Sequence, residues 1–235
     1  MSIYNILLGA NAVTHGSQTY DTAGSFTFIG PLFNSMNIKI WGGGGSGGEA
    51  YNGNTISQGG EGGYYVEYNI SAGQLAPTSS QTAYVGAGGA GVQSNGGAGL
   101  PGTYSYFGDA IWAIGGYGGR GQFASTNPAS TYTPTVSVPW TLVLSEAGGS
   151  GGYGSVGGSV TYAGGGGGGG QNTGGVYRAG GSSTYGGAGG YGNGGWLGQN
   201  PYPKDGYSPA GGGGGLVYQQ ASGSGGTGKI VISWS

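Results

Sequence analysis

Apolar and polar positions alternate in four short stretches of the chain. Residues 25–29 put Phe26 and Phe28 on one face, residues 36–41 put Ile38 and Ile40 together, and residues 64–70 align Tyr64, Val66, Tyr68 and Ile70. Residues 229–234 align Ile230, Ile232 and Trp234 in the same way. A period of two carried by β-branched and aromatic residues predicts half-buried strands. Residues 82–85, 103–107 and 111–114 carry weaker versions of the pattern. The first and last of these strands lie on either side of everything else, so pairing them would close one domain. No stretch reads as a helix, and the expected class is all-β with essentially no α-helix.

Between the strands the period changes to three. Ser150, Tyr153, Val156, Ser159 and Tyr162 recur at every third position, as do Tyr117, Arg120 and Phe123, then Tyr185, Ala188 and Tyr191. Gln58, Glu61 and Tyr64, then Ala87, Ala90 and Gln93, and finally Ser224, Thr227 and Ile230 repeat the spacing. Three residues per turn is the polyproline II repeat, in which N–H and C=O groups point outward and find no partner within the helix. When such groups are buried they must bond sideways to neighbours. Glycine alone lets the neighbouring backbones come close enough. The pattern predicts a small β-sandwich frame with an inserted bundle of polyglycine II helices, and it places the run 164–170 at the bundle's centre.

Composition agrees with an ordered, unusual chain. Of 235 residues 66 are glycine, which on its own suggests a low-complexity or fibrous protein. Nineteen tyrosines, five tryptophans and five phenylalanines with only 5% charged residues oppose disorder, which needs high charge and few aromatics. Nine prolines are too few for collagen, and the three-residue period breaks between blocks. The five cations, Lys39, Arg120, Arg178, Lys204 and Lys229, are scattered, so no basic patch offers itself to nucleic acid. Cysteine is absent, which removes disulfides and thiolate metal sites. No apolar run approaches the ~20 residues of a spanning helix, so membrane insertion is not expected. The segment around Ile6, Leu7 and Leu8 lacks the basic start and the apolar length of a signal peptide, so synthesis in a cytoplasm without secretory export is expected.

Residues 1–23 read as a polar leader for attachment, and residues 24–235 as the glycine-rich domain. Three stretches, 49–58, 122–147 and 196–210, are poor in glycine for this chain and rich in Tyr, Asn, Ser, Thr and Pro. They are expected to be loops on a rigid scaffold. Prolines within 131–140 allow an edge strand there.

Several motifs in order resemble the glycine-rich domain of bacteriophage tail-fibre and receptor-binding proteins. They are Gly24-Ser-Phe-Thr-Phe-Ile-Gly-Pro31, Met36-Asn-Ile-Lys-Ile-Trp-Gly-Gly-Gly-Gly45 and Gly62-Gly-Tyr-Tyr-Val-Glu-Tyr-Asn-Ile-Ser71 with Gly73-Gln74. Tyr84-Val-Gly-Ala-Gly-Gly-Ala-Gly91, Thr103-Tyr-Ser-Tyr-Phe-Gly108 and Gly228-Lys-Ile-Val-Ile-Ser-Trp234 follow. The resemblance implies the sandwich with its polyglycine II bundle, and an adhesin at a fibre tip that presents variable loops to a bacterial receptor. A similar domain occurs in extracellular parts of animal receptor kinases, so the fold by itself does not assign function. The leader is shorter than the attachment domain of such a capping adhesin.

No catalytic residue is expected. His15 is the one histidine, so neither a nucleophilic triad nor a His-metal arrangement with more than one imidazole can be assembled. Asp21, Glu49, Glu61, Glu67, Asp109, Glu146 and Asp205 follow no calcium-loop spacing, and no metal or cofactor is expected. Two carboxylates meeting in space for glycoside hydrolysis form a minor alternative.

Tyr, Ser, Gly and Asn are the residues of recognition loops, because tyrosine offers stiff contact area with a polar tip. The candidate receptor-binding residues are Tyr51, Asn52 and Asn54 in the first stretch, Tyr132 and Trp140 in the second, and Trp196, Tyr202, Lys204 and Tyr207 in the third. Tyr117, Tyr153 and Tyr185 are expected to cover the bundle's flank instead. The expected partners are a bacterial cell-surface glycan or outer-membrane protein, and other tail or fibre proteins of a virion. Monomer and homotrimer both stay open. The alternatives are a structural fibre or decoration subunit and, more remotely, an ice-binding protein, for which thermal hysteresis is the test.

Overall fold

The structure, a computed structural model, describes residues 13–50, 56–93, 96–123, 139–171, 177–194, 203–217 and 220–235. Its strands are β1 (Gly16–Tyr20), β2 (Gly24–Ile29), β3 (Ser35–Trp41), β4 (Glu49–Ala50), β5 (Tyr65–Ser71) and β6 (Ser80–Val85). They continue with β7 (Ser105–Phe107), β8 (Ile111–Ala113), β9 (Thr141–Glu146), β10 (Leu216–Val217) and β11 (Lys229–Trp234), and no helix occurs among the described residues.

Two antiparallel sheets face each other, in the orders β1-β11-β3-β5-β9 and β2-β6-β7-β8. The alternation read from the sequence decides which side chains meet between them. Met36, Ile38 and Ile40 of β3, Ile230 and Ile232 of β11 and Ile70 of β5 are buried against Phe28, Ala83, Val85, Phe107 and Ile111 of the other sheet. Phe26, Val66, Tyr68 and Trp234 pack around them.

The sequence-based placement needs four corrections. β2 and β11 lie in opposite sheets rather than pairing, and β11 is flanked instead by β1 and β3. β1 falls inside residues 1–23, the expected leader. It is an edge strand with exposed Ser17, Gln18 and Thr19, so it carries little apolar alternation to read. β9 occupies the end of the expected loop 122–147 and forms the other edge of the larger sheet. Glu49–Ala50 of the expected loop 49–58 is the short strand β4, paired in parallel with β10.

The glycine segments form a lattice joined by backbone hydrogen bonds. Along residues 42–49 the partner changes with a period of three. Gly42, Gly45 and Gly48 donate to the carbonyls of Tyr64, Glu61 and Gln58, while Gly43, Ser46 and Glu49 donate to those of Thr103, Leu100 and Gly97. Gly44 and Gly47 donate to Gly226 and Gly223, and the N···O distances over this segment are 2.8–3.0 Å. One segment therefore meets three neighbours on three edges, as a threefold extended helix requires. The segment 58–64 does the same toward residues 114–120, 149–152 and 210–213.

Residues 164–170 are all buried, and their N–H groups go in turn to the segments carrying Gly60 and Gly63, Gly187 and Gly190, and Ser155 and Gly158. This is the centre that the sequence predicts. A Cβ on Gly164, Gly167 or Gly169 would overlap the carbonyl of Ala210, Gly213 or Gly152 respectively, and close approach explains these glycines. Gly154 has a different role. Its φ is +57°, and the chain turns back there. Tyr153 and Val156, expected on one continuous edge, therefore belong to two antiparallel segments: Gly149 and Gly152 donate to Gly164 and Gly167, whereas Gly166 and Gly169 donate to Gly158 and Ser155.

The lattice is anchored to the larger sheet. Trp41 donates its indole N–H to the Tyr162 carbonyl at 2.7 Å, and Trp41 and Tyr65 pack with buried Ala163 and Ala210. The Glu146 carboxylate accepts the backbone N–H groups of Thr161, Tyr162 and Ala163. Partial burial raises the pKa of Glu146, but the three donors together outweigh it and hold the carboxyl below its ordinary value. The stabilisation from a lowered carboxyl pKa is fully present above the unfolded value of about 4.3 and is lost as the pH falls through the folded value. Glu146→Gln is expected to cost about 1–3 kcal/mol at neutral pH. Melting curves of both proteins from pH 7 downward check this, since the gap should close in acid.

Candidate functional site

The lattice has two distinguishable ends. Residues 42–49, 86–93, 114–121, 163–171, 186–194 and 210–217 run away from the sheets, and residues 56–64, 97–104, 177–182, 203–208 and 220–228 return, as their parallel and antiparallel bonding shows. At about 3.1 Å per residue, 163–171 carries the chain roughly 25 Å outward. The turns at 161–163, 183–186 and 208–210 lie at the near end, beside the sheets. Ala50, Ile56, Gln171, Asn193 and Val217 lie at the far end. Both described chain ends are at the opposite pole: Gly16 pairs with Trp234, and Ser235 bonds to Asn34 and Ser35.

The candidate residues divide accordingly. Tyr51, Asn52, Asn54, Tyr132, Trp196 and Tyr202 lie outside the described residues, although 51–55 and 195–202 are entered and left at the far end. Lys204 and Tyr207 are described and exposed, three residues apart on one returning segment. Lys204 N–H bonds the Tyr191 carbonyl at 3.0 Å and Tyr207 N–H bonds that of Ala188 at 2.9 Å. Lys204 and Tyr207 thus stand beside the edge that carries Tyr185, Ala188 and Tyr191, with Tyr207 60% and Tyr191 50% exposed. They belong to the side wall of the lattice, Lys204 toward its far end and Tyr207 beside the near-end turn at 208–210, and not to a free loop.

Trp140 stands apart from these two. β9 runs antiparallel to β5, so Pro139 and Trp140 just before it lie at the pole away from the lattice, where Gln74 donates to the Pro139 carbonyl at 2.7 Å. There Trp140 packs on the sandwich core, 6.4 Å from the Phe107 ring centroid. It is not brought together with Lys204 and Tyr207.

The flank tyrosines hold two arrangements. Tyr153 and Tyr185 are more than half exposed, while Tyr117 is half-buried beside Tyr64. Tyr185 also ends a stack that runs inward through Tyr162 and Tyr65 to Trp41, with centroid separations of 4.9, 5.5 and 4.8 Å.

One surface was not anticipated from the sequence. Ser25, Tyr84, Tyr106 and Trp112 share a register row across β2, β6, β7 and β8 on the outward face of the smaller sheet. Tyr106 stacks on Trp112 at 4.4 Å and on Tyr84 at 5.3 Å, and Tyr104 meets Trp112 edge-on at 4.9 Å. Burial first, then Tyr104, Asp109 and Tyr84, raise the Tyr106 pKa. Its signal was the outward half of the weak alternation in 82–85, 103–107 and 111–114. The rings largely cover one another, so the row reinforces the sheet as cross-strand pairs do.

The chain matches the family described as a glycine-rich domain over residues 21–235 and belongs to that family. No match to a curated protein was found.

Proposed function

We propose that this chain is a receptor-binding protein, a non-enzymatic adhesin at the tip of a bacteriophage tail fibre, acting on the virion and contacting a bacterial surface glycan or outer-membrane protein. The observation that carries the proposal is the polarity of the molecule. The stretches rich in Tyr, Trp and Asn at 51–55 and 195–202 are entered and left at the far end of the lattice, and both described chain ends lie at the opposite pole. One pole is free to attach to a fibre or to sister subunits while the other meets a cell. A backbone lattice supports such a task because contacts on a rigid base lose little ordering entropy on binding. Many copies on one particle would add by avidity.

Binding of the labelled, purified chain to a panel of intact bacteria is the test. Saturable binding to a few strains is the expected result, and no binding to any strain by a well-folded chain overturns it. The double substitution Lys204→Ala with Tyr207→Ala is expected to weaken binding about tenfold, the scale of one interface hot spot. Because both side chains are exposed, the melting temperature should stay unchanged.

A second reading, a structural fibre or decoration subunit, draws on a different observation: Tyr153, Tyr177, Tyr185 and Tyr191 are exposed on the lattice flank. Tyrosines of this kind suit subunit interfaces. A stable homo-oligomer in sedimentation, lost when Tyr185 and Tyr191 become Ser, would favour it.

A further inference from the structure

We propose that a cleft on the side of the lattice near its far end binds a neutral saccharide, a class of ligand that deepens the adhesin reading and rests on it. The cleft has a volume of about 730 Å³ and lies among Ala90, Gln93, Pro203, Asp205, Gln220 and Ser222. Volumes of this order hold small ligands. Backbone bonds fix its walls: Ser222 N–H to the Val92 carbonyl at 2.9 Å, and Gly206 N–H to the Ser224 carbonyl at 2.8 Å.

Its polar groups form a mixed set of donors and acceptors. The Asp205 carboxylate accepts Ser224 N–H through Oδ1 at 2.7 Å, which orients it, and Oδ2 makes no hydrogen bond among the described residues. The Ser222 and Ser224 hydroxyl oxygens accept the N–H groups of Val92 and Gly91 at 3.0 and 3.1 Å, so each O–H proton is left to donate. The Gln220 amide, with two donors and an acceptor, makes no hydrogen bond among the described residues. Ala90 and Ala221 add apolar wall.

Among the described residues the lining contains no cation and its single charge is negative, so an anionic ligand is disfavoured. A lone carboxylate is too little for a divalent metal, which takes several oxygen ligands. A sugar hydroxyl both donates and accepts. Neighbouring hydroxyls on a pyranose therefore satisfy an interleaved carboxylate, amide and serine set that neither an anion nor an apolar group would satisfy.

The experiment uses a strain that the chain binds, treated or not with periodate, which cleaves vicinal diols. It compares wild type with Asp205→Asn and Gln220→Ala. Asp205→Asn keeps an oxygen for Ser224 N–H, and Gln220→Ala removes no observed hydrogen bond, so unchanged melting temperatures are expected for both. The expected result is at least tenfold weaker binding by each variant, loss of wild-type binding after periodate, and competition by neutral polysaccharide extracted from that strain. Binding that survives periodate, or variants that bind like wild type, overturns the cleft while leaving the adhesin reading in place. Wild type that binds no strain removes both.

Discussion

Replacing Gly167 by Val is expected to leave the chain unfolded, or to lower its melting temperature by well over 10 °C. A Cβ at this position would overlap the Gly213 carbonyl, and no flexible side chain stands there to yield. Moving the backbone apart breaks the bonds from Gly167 N–H to the Gly60 carbonyl and from Gly152 N–H to the Gly167 carbonyl, both 2.8 Å. Each break strands buried donors and acceptors, at about 1–3 kcal/mol per group. Two broken bonds plus the displacement of a neighbour approach the whole stability of a typical domain, about 5–15 kcal/mol. Gly73→Ala is the control. Gly73 has a φ of +82° with nothing within 4 Å of a built Cβ, so only local strain of about 1–2 kcal/mol is expected. Calorimetry or circular dichroism of the two variants checks the contrast, and equal melting temperatures would show that the lattice does not hold the fold.

Phe107→Ala tests the other core. Phe107 is fully buried between the sheets, with its ring 5.6 Å from Phe28 in an edge-on contact. Deleting a buried phenylalanine ring costs about 3–5 kcal/mol, the transfer term plus the cavity left behind. Denaturant titration should show a fall of that size. A value under about 1 kcal/mol would mean that the sandwich collapses around the gap, an outcome at odds with close packing. The two cores also fail for opposite reasons. One is intolerant of added atoms, and the other of removed ones.

That contrast explains how much of the molecule the sequence revealed. The inward halves of β2, β3, β5 and β11 were legible because apolar alternation is the direct signature of a half-buried strand. The lattice was legible because its three-residue partner change requires glycine at the crowded edges. β1 and β9 were not, since edge strands with exposed Ser17, Thr19, Leu142 and Val143 lack a consistent buried face. The turn at Gly154 was hidden for another reason: one glycine with positive φ looks the same in sequence as its extended neighbours. At the candidate site, Lys204 and Tyr207 were legible as types but not as places. Trp140 was legible in the same limited way, since nothing local in the sequence places Pro139 and Trp140 at the opposite pole. The cleft around Asp205 and Gln220 joins segments more than a hundred residues apart, from Gln93 to Gln220, and no local pattern encodes that meeting.

The crosswise orientation of the lattice bonds has a mechanical consequence. Strands and glycine segments run along one axis, and their hydrogen bonds lie across it. A pull applied between the sandwich pole and the far end therefore loads those bonds in shear, many at once, instead of peeling them one by one. Tension on such a molecule is shared across the whole cross-section, and the covalent backbone of each segment runs in the direction of the load.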